Sequence, residues 1–455
     1  MRVKKYMYLI ILLFLFKIFF CNGHGYKDFL NLAKQMQNKG DMAGAIEHYK
    51  KALEVYPGCF DASFSLGFLF SRQGNFDNSL TFFRKAALVK SDDIATLFNI
   101  ACILFNKKYQ IKEVVPIFEK IATLQPDNKK IHDALYECYL KLGEFEKVRV
   151  EKAIRTRLNQ NRADQKLFKE WDGSLDLQGK TILIKDDIGI GDLFLWIRYA
   201  RLFKKRGAYV ILQARRALRP LLSKCGLIDL FVARDHEFTD FDFQTTTGRM
   251  HHLINKTIDD MYIESEPAYI KVDDVLVQKW KKELSSYTAG VKIGICWDPR
   301  PYFDDITKKR VKNNRAISLS CFYQLSKIPG VSLYSLQQRN GIEQLDNMPK
   351  DFKIHIFDEN FDKTNGRFVD TAAVMKNLDF VITVDTSVAH LAGALGVPVW
   401  VMLPLRADWR WLLDRDDTPW YPTMKLFRLN IGEAWENLMN KVTKTLKKVV
   451  QKGKV

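Results

Sequence analysis

The stretch Val381–Pro404, VITVDTSVAHLAGALGVPVWVMLP, decides the fold of the second part of the chain. Two apolar runs flank a polar break at Asp385, Thr386 and Ser387, and a pattern of small helix-forming residues follows the break. An apolar run, a helix and a second apolar run predict a βαβ unit of a parallel sheet. Because ligands bind beyond the carboxyl ends of parallel strands, the polar break predicts a ligand crevice.

The polar break is suited to an anionic ligand. The first amide N–H groups of a helix are unpaired and attract anions, and Thr386 or Ser387 can cap the helix. His390 lies one turn inside the helix, and we expect it to face the same crevice. The alternative is an ordinary helix cap beside a buried histidine, and the sequence leaves both open.

A second constellation, Gly189-Ile190-Gly191-Asp192, follows an apolar run at 181–184 and opens a helix. Two glycines without a third do not make a dinucleotide fingerprint. Asp192 is either a carboxylate at the rim of a crevice or a helix cap. Strand and helix patterns alternate from here and restart after residue 285, which predicts two Rossmann-like halves, 175–285 and 286–430.

Repeats with a period of 34 residues precede these halves. Gly40 and Gly74 lie one period apart, as do three further pairs of small or aromatic residues: Ala45 and Ser79, Tyr49 and Phe83, Ala52 and Ala86. One residue is inserted near Lys107-Lys108, where Lys108 is expected in place of the turn glycine. The pattern resembles the tetratricopeptide repeat over 24–162. Stacked repeats form either a groove for a peptide or protein partner or a packing platform.

The ends of the chain hold half of its net charge of +18. Three cations near residue 4 and six lysines after residue 440 account for this half, so the interior is only mildly basic and a nucleic-acid partner is not expected. Residues 1–23 combine cations with an apolar run, which predicts a signal peptide or a membrane anchor. Residues 431–455 predict a basic C-terminal helix.

Metal binding is not expected. The chain has seven cysteines and no CxxC pair, so neither a zinc site nor a thioredoxin-like motif is indicated. Asp240-Phe241-Asp242 has the spacing of a metal-binding DxD motif, but it lies among aromatic residues in a Rossmann-like half.

Three segments carry a family resemblance. They are DIGIGDLFLWIRYARLFKKRGAYVIL, NNRAISLSCFYQL and LDFVITVDTSVAHLAGALGVPVWVMLPLRADWRWLLDRDDTPWYPTMKLFR. They resemble glycosyltransferase family 9, the heptosyltransferases, in its tetratricopeptide-linked form, and the layout is similar to that of O-linked N-acetylglucosamine transferases. The resemblance implies a GT-B fold with the acceptor on the N-terminal half and a nucleotide-diphosphate sugar donor on the C-terminal half, without a metal or cofactor.

The resemblance also implies roles for single residues. Asp192 matches the proposed catalytic base, and Gly189 and Gly191 form the loop near the reaction centre. The donor motif matches Asp385, Thr386, Ser387 and His390, and Arg315 matches a basic residue proposed to bind donor phosphate. This chain departs from the family pattern at Ser387, where heptosyltransferases have glycine. It departs again where Asp187-Ile188 replaces the Glu-Gln expected in the repeat-linked relatives.

These features predict a sugar transferase with a glycan, a lipopolysaccharide-type or a protein acceptor. The donor sugar is heptose-like or a hexose, and the sequence does not identify the nucleotide. The alternative is a non-catalytic adaptor whose repeats bind a partner and whose transferase domain has degenerated. The positive N-terminus favours export of the bulk of the chain or attachment to a membrane, whereas nucleotide sugars are usually made in the cytoplasm. The sequence therefore leaves the location open.

Overall fold

The protein is described from a computed structural model. The structure describes residues 25–158, 170–171, 173, 176–254, 268–285, 290–299, 302–304, 309–311 and 314–452. The signal peptide or anchor predicted for 1–23 lies outside these ranges. Within them, no helix is long and apolar enough to cross a membrane. The chain forms two compact units: Met1–Cys138 with Glu151–Asn159, and Tyr139–Val150 with Gln160–Val455.

Paired antiparallel helices fill residues 25–158. They are α1 (Gly25–Asn38), α2 (Met42–Val55), α3 (Phe60–Arg72), α4 (Phe76–Val89), α5 (Ile94–Ile103), α6 (Ile111–Leu124), α7 (Lys129–Leu142) and α8 (Phe145–Leu158). Side-chain oxygens of Asp41, Asn75 and Asp93 accept hydrogen bonds from backbone N–H groups in the first turns of α2, α4 and α5, at 2.9, 3.2 and 2.8 Å. These caps fix the start of each helix and hence the length of each repeat.

Small and aromatic residues alternate in the repeat core as the 34-residue period predicts. The repeated small residues are all buried: Ala45, Ala52, Ser79 and Ala86. Tyr49 and Phe83 are buried against them, and a Cβ added to Gly67 would lie 2.7 Å from the Phe83 ring. Helices can approach this closely only where one side chain is small. The 34-residue spacing of the small residues therefore follows from close packing between the helices.

The third repeat corrects one expectation. Residues Leu104–Lys108 form a π-helical turn, which accommodates the inserted residue. The left-handed conformation adopted by Gly40, Gly74 and Gly143 is then found at Tyr109, with φ 53°, and not at Lys108. The predicted replacement at Lys108 was therefore wrong by one residue, because the insertion precedes the turn.

The first α/β half contains a four-stranded parallel sheet, β3-β2-β1-β4. The strands are β1 (Thr181–Lys185), β2 (Tyr209–Ala214), β3 (Leu230–Ala233) and β4 (Phe243–Thr246). The helices are α9 (Ile190–Trp196), α10 (Ala200–Lys205), α11 (Arg219–Leu222), α12 (Thr247–Ile254) and α13 (Asp274–Ser285). The three buried central residues of β1 and of β2 form the middle of the sheet.

The second half contains a five-stranded parallel sheet, β11-β10-β9-β5-β8. Its strands are β5 (Val291–Cys296), β8 (Val331–Ser335), β9 (Phe380–Val384), β10 (Val399–Leu403) and β11 (Met424–Arg428). A separate antiparallel pair joins β6 (Tyr302–Asp304) to β7 (Lys309–Val311). The helices are α14 (Val369–Met375), α15 (Ser387–Ala394) and α16 (Trp435–Gln451). The predicted fold class, a helical-repeat solenoid followed by two parallel α/β sheets, is confirmed.

Two helical elements differ from the sequence expectations, and a third shows how the C-terminal end of the chain packs. The long helix expected after Gly191 is interrupted by a 3₁₀ turn at Ile197–Tyr199, where the buried Arg198 donates to the Leu195 carbonyl at 3.0 Å. A nine-residue 3₁₀ helix, Leu319–Lys327, replaces an expected α-helix. The basic C-terminal helix, α16, packs Leu438, Met439, Val442 and Leu446 into the same apolar cluster as β5 and β9.

Strand order places two crevices. The direction in which successive strands are added to the sheet reverses between β1 and β4 in the first sheet. It reverses between β5 and β9 in the second sheet. Ligands of open parallel sheets bind beyond the carboxyl ends of strands at such points. Asp187 follows β1 and Asp385 follows β9, so each predicted constellation lies at a reversal of strand order.

Candidate functional site

The two predicted constellations lie against each other. A Cβ added to Gly191 in α9 would lie 2.8 Å from Cδ2 of His390 and 3.3 Å from Cα of Ser387, both in α15. Glycine is required for this approach because a side chain at 191 would overlap the His390 ring. The structure therefore brings the first turn of α9 in one half to the first turn of α15 in the other.

Asp385 is held by Arg315 at the end of β9. Arg315 Nη1 donates to Asp385 Oδ2 at 3.1 Å. The Asp385 residue is 4% exposed, whereas the Arg315 side chain is 34% exposed. Arg315 thus pairs with a buried carboxylate while about a third of its own side chain is exposed.

Thr386 starts α15. Its backbone is extended, and its Oγ1 accepts a hydrogen bond from the Val388 N–H at 3.2 Å. One of the unpaired N–H groups of the helix is satisfied in this way. Ser387 is the first residue of the helix, beside Gly191, and a serine there occupies space that the glycine of the family motif would leave open.

His390 is a buried, neutral imidazole. Burial and, to a lesser extent, the positive charges of Arg410 and Arg315 together lower its pKa to about 3. Its Nδ1 lies 3.1 Å from the Tyr421 hydroxyl, and its ring stacks on Trp411 with centroids 5.2 Å apart. Because the ring is neutral, the 3.9 Å approach of Nε2 to Asp385 is not an ion pair at neutral pH.

Asp192 is held by a residue from the opposite half. Arg410 forms an ion pair with Asp192 and another with Asp408. Burial raises the pKa of the Asp192 carboxyl, Arg410 opposes that shift, and the carboxylates of Asp408 and Asp385 add to it. The same three carboxylates outweigh the effect of burial on Arg410 and raise its pKa.

The loop before Asp192 is fixed from two sides. Asp187 Oδ1 accepts hydrogen bonds from Thr247 Oγ1 at 2.9 Å and from the Gly248 N–H at 3.0 Å, at the start of α12. Arg215 donates to the Ile188 carbonyl at 2.7 Å and pairs with the buried Asp186 at 2.9 Å. The Asp187-Ile188 departure from the family pattern therefore contributes a side chain that ties the loop to α12.

Sequence reasoning missed Arg410, Asp408 and Tyr421. All three lie in the segment Asp408–Tyr421, DWRWLLDRDDTPWY. Trp411 and Trp420 are buried, and Trp420 packs edge-on against Trp196. The available signal was an arginine two residues after Asp408, and its partner across the contact, Asp192, lies 218 positions earlier in the chain.

Metal ligands do not gather at the site. The described residues contain no group of three His, Cys, Asp or Glu side chains arranged to hold a metal ion. In the Asp240-Phe241-Asp242 segment, Asp242 accepts a hydrogen bond from the Thr181 N–H at 2.7 Å. That contact gives Asp242 a role in anchoring the start of β1.

A pocket of about 240 Å³ lies away from these residues. It is lined by side chains of α11, α13 and the segment before α14, among them Leu221, Lys224, Val275 and Asn365. None of the predicted site residues lines it. The site is instead a closed contact in which the side chains of Asp408, Arg315, Asp192 and Arg410 are 36, 34, 21 and 17% exposed.

Known proteins resemble each part of the chain. No family model matches it. Protein FlbA of Caulobacter vibrioides is 22% identical over 511 aligned residues, covering 91% of this chain and 83% of FlbA. The crystal structure of a family 9 glycosyl transferase from Veillonella parvula covers 62% of this chain and 93% of that chain, with 11% identity and a TM-score of 0.39. YrrB, a tetratricopeptide protein with an unusual peptide-binding site, covers 31% of this chain and 73% of that chain, with 18% identity and a TM-score of 0.28.

Proposed function

We propose that the protein is a glycosyltransferase that moves a sugar from a nucleotide-diphosphate donor to a hydroxyl group of a glycan, lipopolysaccharide-type or protein acceptor. One observation carries the proposal. Asp192 of one α/β half pairs with Arg410 of the other half, and the neighbouring Gly191 lies against Ser387 and His390 of the donor motif, at the reversal of strand order in both sheets. A group transfer needs this combination of a base on one side and an anion-binding surface on the other.

The donor half would stabilise the leaving group. As the bond between the sugar and the diphosphate breaks, negative charge grows on the phosphate oxygens. The guanidinium group of Arg315 and the N–H groups that begin α15 are fixed donors for that charge. Asp385 would keep Arg315 oriented and offer an oxygen to a sugar hydroxyl.

Asp192 would act on the acceptor. It takes the proton of the acceptor hydroxyl while that oxygen forms a bond to the sugar, and the nucleoside diphosphate leaves with the electrons of the broken bond. A raised pKa suits a carboxylate base, because basicity increases with pKa. His390 would not exchange protons near neutral pH, since its pKa is about 3, and its place is to hold the neighbouring groups in position.

The proposed reaction uses neither a metal nor a cofactor. The resemblance to family 9 supports this, and the charge of the diphosphate would be met by arginine and helix N–H groups in place of a cation. A chelator such as EDTA is expected to leave transfer unchanged.

The repeats would select a peptide or protein partner, including a protein acceptor. Phe68 in α3 and Phe98 in α5 are exposed aromatic side chains on the first helices of consecutive repeats. Replacing both with alanine should lower transfer to a protein acceptor and leave transfer to a small acceptor unchanged. Leu88→Ala in α4 is the control, since Leu88 is also an exposed apolar side chain but lies on the second helix of its repeat.

Calorimetry with a panel of nucleotide-diphosphate sugars tests the proposal. A donor that binds the wild-type chain, and binds at least tenfold more weakly to Asp385→Ala, would support the transferase. The second candidate, a non-catalytic adaptor, is favoured by Ser387 beside Gly191 and by the occupied carboxylate of Asp192. A folded chain that binds no donor in the panel would establish the adaptor instead.

A further inference from the structure

Arg410 is shared between two carboxylates that differ in where they come from. Asp408 lies two residues before it and also accepts a hydrogen bond from the Arg410 backbone N–H at 3.0 Å, so this pair belongs to one short turn. Asp192 comes from α9 in the opposite half. The local pair persists whenever the turn is folded, whereas the pair with Asp192 requires the halves to touch.

The ion pair with Arg410 prevents Asp192 from acting as a base. A carboxylate that accepts a proton from a hydroxyl group must offer that hydroxyl a free oxygen lone pair, and a paired guanidinium group competes for it. Arg410 also lowers the basicity of the carboxyl, because it opposes the upward shift of the Asp192 pKa. The closed contact is thus a resting arrangement of the proposed transferase and not its reacting one.

Arg410 is placed to meet an anion at the donor motif. It is close enough to Asp385 for that carboxylate to raise its pKa, and close enough to His390 to lower the histidine pKa. Its Nε is buried and has no hydrogen-bond partner among the described residues. The Arg410 guanidinium group therefore retains one N–H donor that has no protein partner among these residues.

We propose that Arg410 is a second residue that binds the donor diphosphate, and that the diphosphate takes Arg410 away from Asp192, so that donor binding frees the base. The inference rests on the proposed function and extends it. Arginine binds phosphate oxygens with two parallel hydrogen bonds, and a diphosphate carries more negative charge than one carboxylate. The exchange makes and breaks ion pairs only, and no covalent bond changes. It imposes an order of binding, because Asp192 can accept the acceptor's proton only after the donor has bound.

The exchange predicts an unusual effect of removing the base. Asp192→Asn should bind a nucleoside diphosphate more tightly than the wild-type chain, by about fivefold, because Arg410 no longer has to leave a carboxylate. Arg410→Gln should bind it roughly tenfold to a hundredfold more weakly. The double variant should bind like Arg410→Gln alone, since Asp192 acts on the diphosphate through Arg410.

The experiment is calorimetry of the full chain and these variants with ADP, GDP, CDP and UDP, with melting temperatures measured in parallel. Arg415→Gln is the matched control, because Arg415 also pairs with an aspartate, Asp417, in the same segment but lies outside the proposed site. This control should bind as the wild type does. If Arg410→Gln does not fold, Arg410→Lys takes its place and should bind with intermediate affinity.

Proton uptake gives a second readout. Loss of the Arg410 partner raises the pKa of Asp192, so the wild-type chain should take up a proton when it binds diphosphate at weakly acidic pH. Asp192 and Arg410 have other ionisable neighbours, namely Asp408, Asp385, His390 and Arg315. Proton uptake is therefore assigned to Asp192 only if the Asp192→Asn variant does not show it. Calorimetry in buffers of different ionisation enthalpy measures the difference.

Each outcome has a defined meaning. The inference is overturned if Asp192→Asn binds diphosphate no more tightly than the wild type, or if it tightens binding equally in the Arg410→Gln background. Equal tightening would show a general effect of the charge at 192. A wild-type chain that binds none of the four nucleotides overturns the proposed function itself, which is a different result.

Discussion

The two sides of the site are held together in different ways. On the donor side, Asp385 and Arg315 pair within the second half, and His390 rests on Tyr421 and Trp411 of that same half. On the acceptor side, Asp192 belongs to the first half but its cationic partner, Arg410, belongs to the second. The proposed donor side is therefore held together within one half, whereas the ion pair of Asp192, the proposed base, depends on the contact between the halves.

This difference implies that the residues on the two sides affect different properties of the protein. Groups fixed within one half do not reorganise when a ligand binds, which is the condition for strong stabilisation of developing charge. A group whose partner lies across a contact between halves can change that partner. We therefore expect changes on the donor side to act on affinity and stability, and changes at Asp192 to act on turnover.

The largest effect is expected on turnover, at Asp192. Asp192→Asn should lower the rate of sugar transfer roughly 10²–10⁴-fold, the usual contribution of a general base, without weakening donor binding. Single-turnover kinetics with saturating donor measure this rate. If the variant keeps the wild-type rate, Asp192 is not the base, and the contrast between the two sides does not hold.

A smaller effect is expected on donor affinity, at Asp385. Asp385→Ala should weaken donor binding by roughly 10- to 150-fold, because the variant loses hydrogen bonds of a charged group. Calorimetry gives the affinity, and the melting temperature of the same sample shows whether folding is affected. A lower melting temperature with unchanged affinity would mean that Asp385 only supports the strand end.

His390 should make stability depend on pH. Its folded-state pKa of about 3 lies below the ordinary value of 6.5, so the unfolded chain binds a proton first as the pH falls. The wild type should therefore lose up to about 1.4 kcal/mol of unfolding free energy per pH unit below 6.5, relative to His390→Gln. Urea denaturation of both chains at neutral and at weakly acidic pH measures the difference, and parallel curves would show that His390 is not held neutral.

The smallest effect concerns the segment that precedes the α/β halves. Tyr139–Val150 belongs to the same compact unit as the site, and Lys141 donates to the Ala407 carbonyl at 3.1 Å, next to Asp408. A truncated chain that begins at Lys129 should be more stable than one that begins at Gln160, by about 1–2 kcal/mol. Equal melting temperatures would show that the donor side needs no support from this segment.

The sequence predicts the fold where a period or an apolar run is long. The 34-residue spacing predicted paired helices in contact through small residues, and Ala45, Ala52, Ser79 and Ala86 are buried. The apolar runs at 181–184 and 380–384 predicted strands, which are β1 and β9. Strand β4 was missed because FQTT is short and has no apolar period. The interruption at Arg198 was missed because its partners, the Trp420 carbonyl and the Tyr269 hydroxyl, lie far away in sequence.

The candidate site shows the same limit. Gly191, Asp192, Ser387 and His390 were named from two separate motifs, and the structure brings them into contact. Their roles stay predictions until they are measured. Arg410 was not named, because an ion pair between distant segments leaves no pattern in either one. What a single sequence does not show is therefore the pairing across the contact, on which the control of the base depends.

Gly191 sets how closely α9 and α15 approach each other, because it has no side chain. A methyl group at this position would lie 2.8 Å from the His390 ring, well inside ordinary contact distance, and 3.3 Å from the backbone of Ser387. The two halves can close on each other only as far as the smallest side chain between them allows. The size of residue 191 thus sets the separation between the helix that carries Asp192 and the helix of the proposed donor motif, and one added carbon atom would increase it.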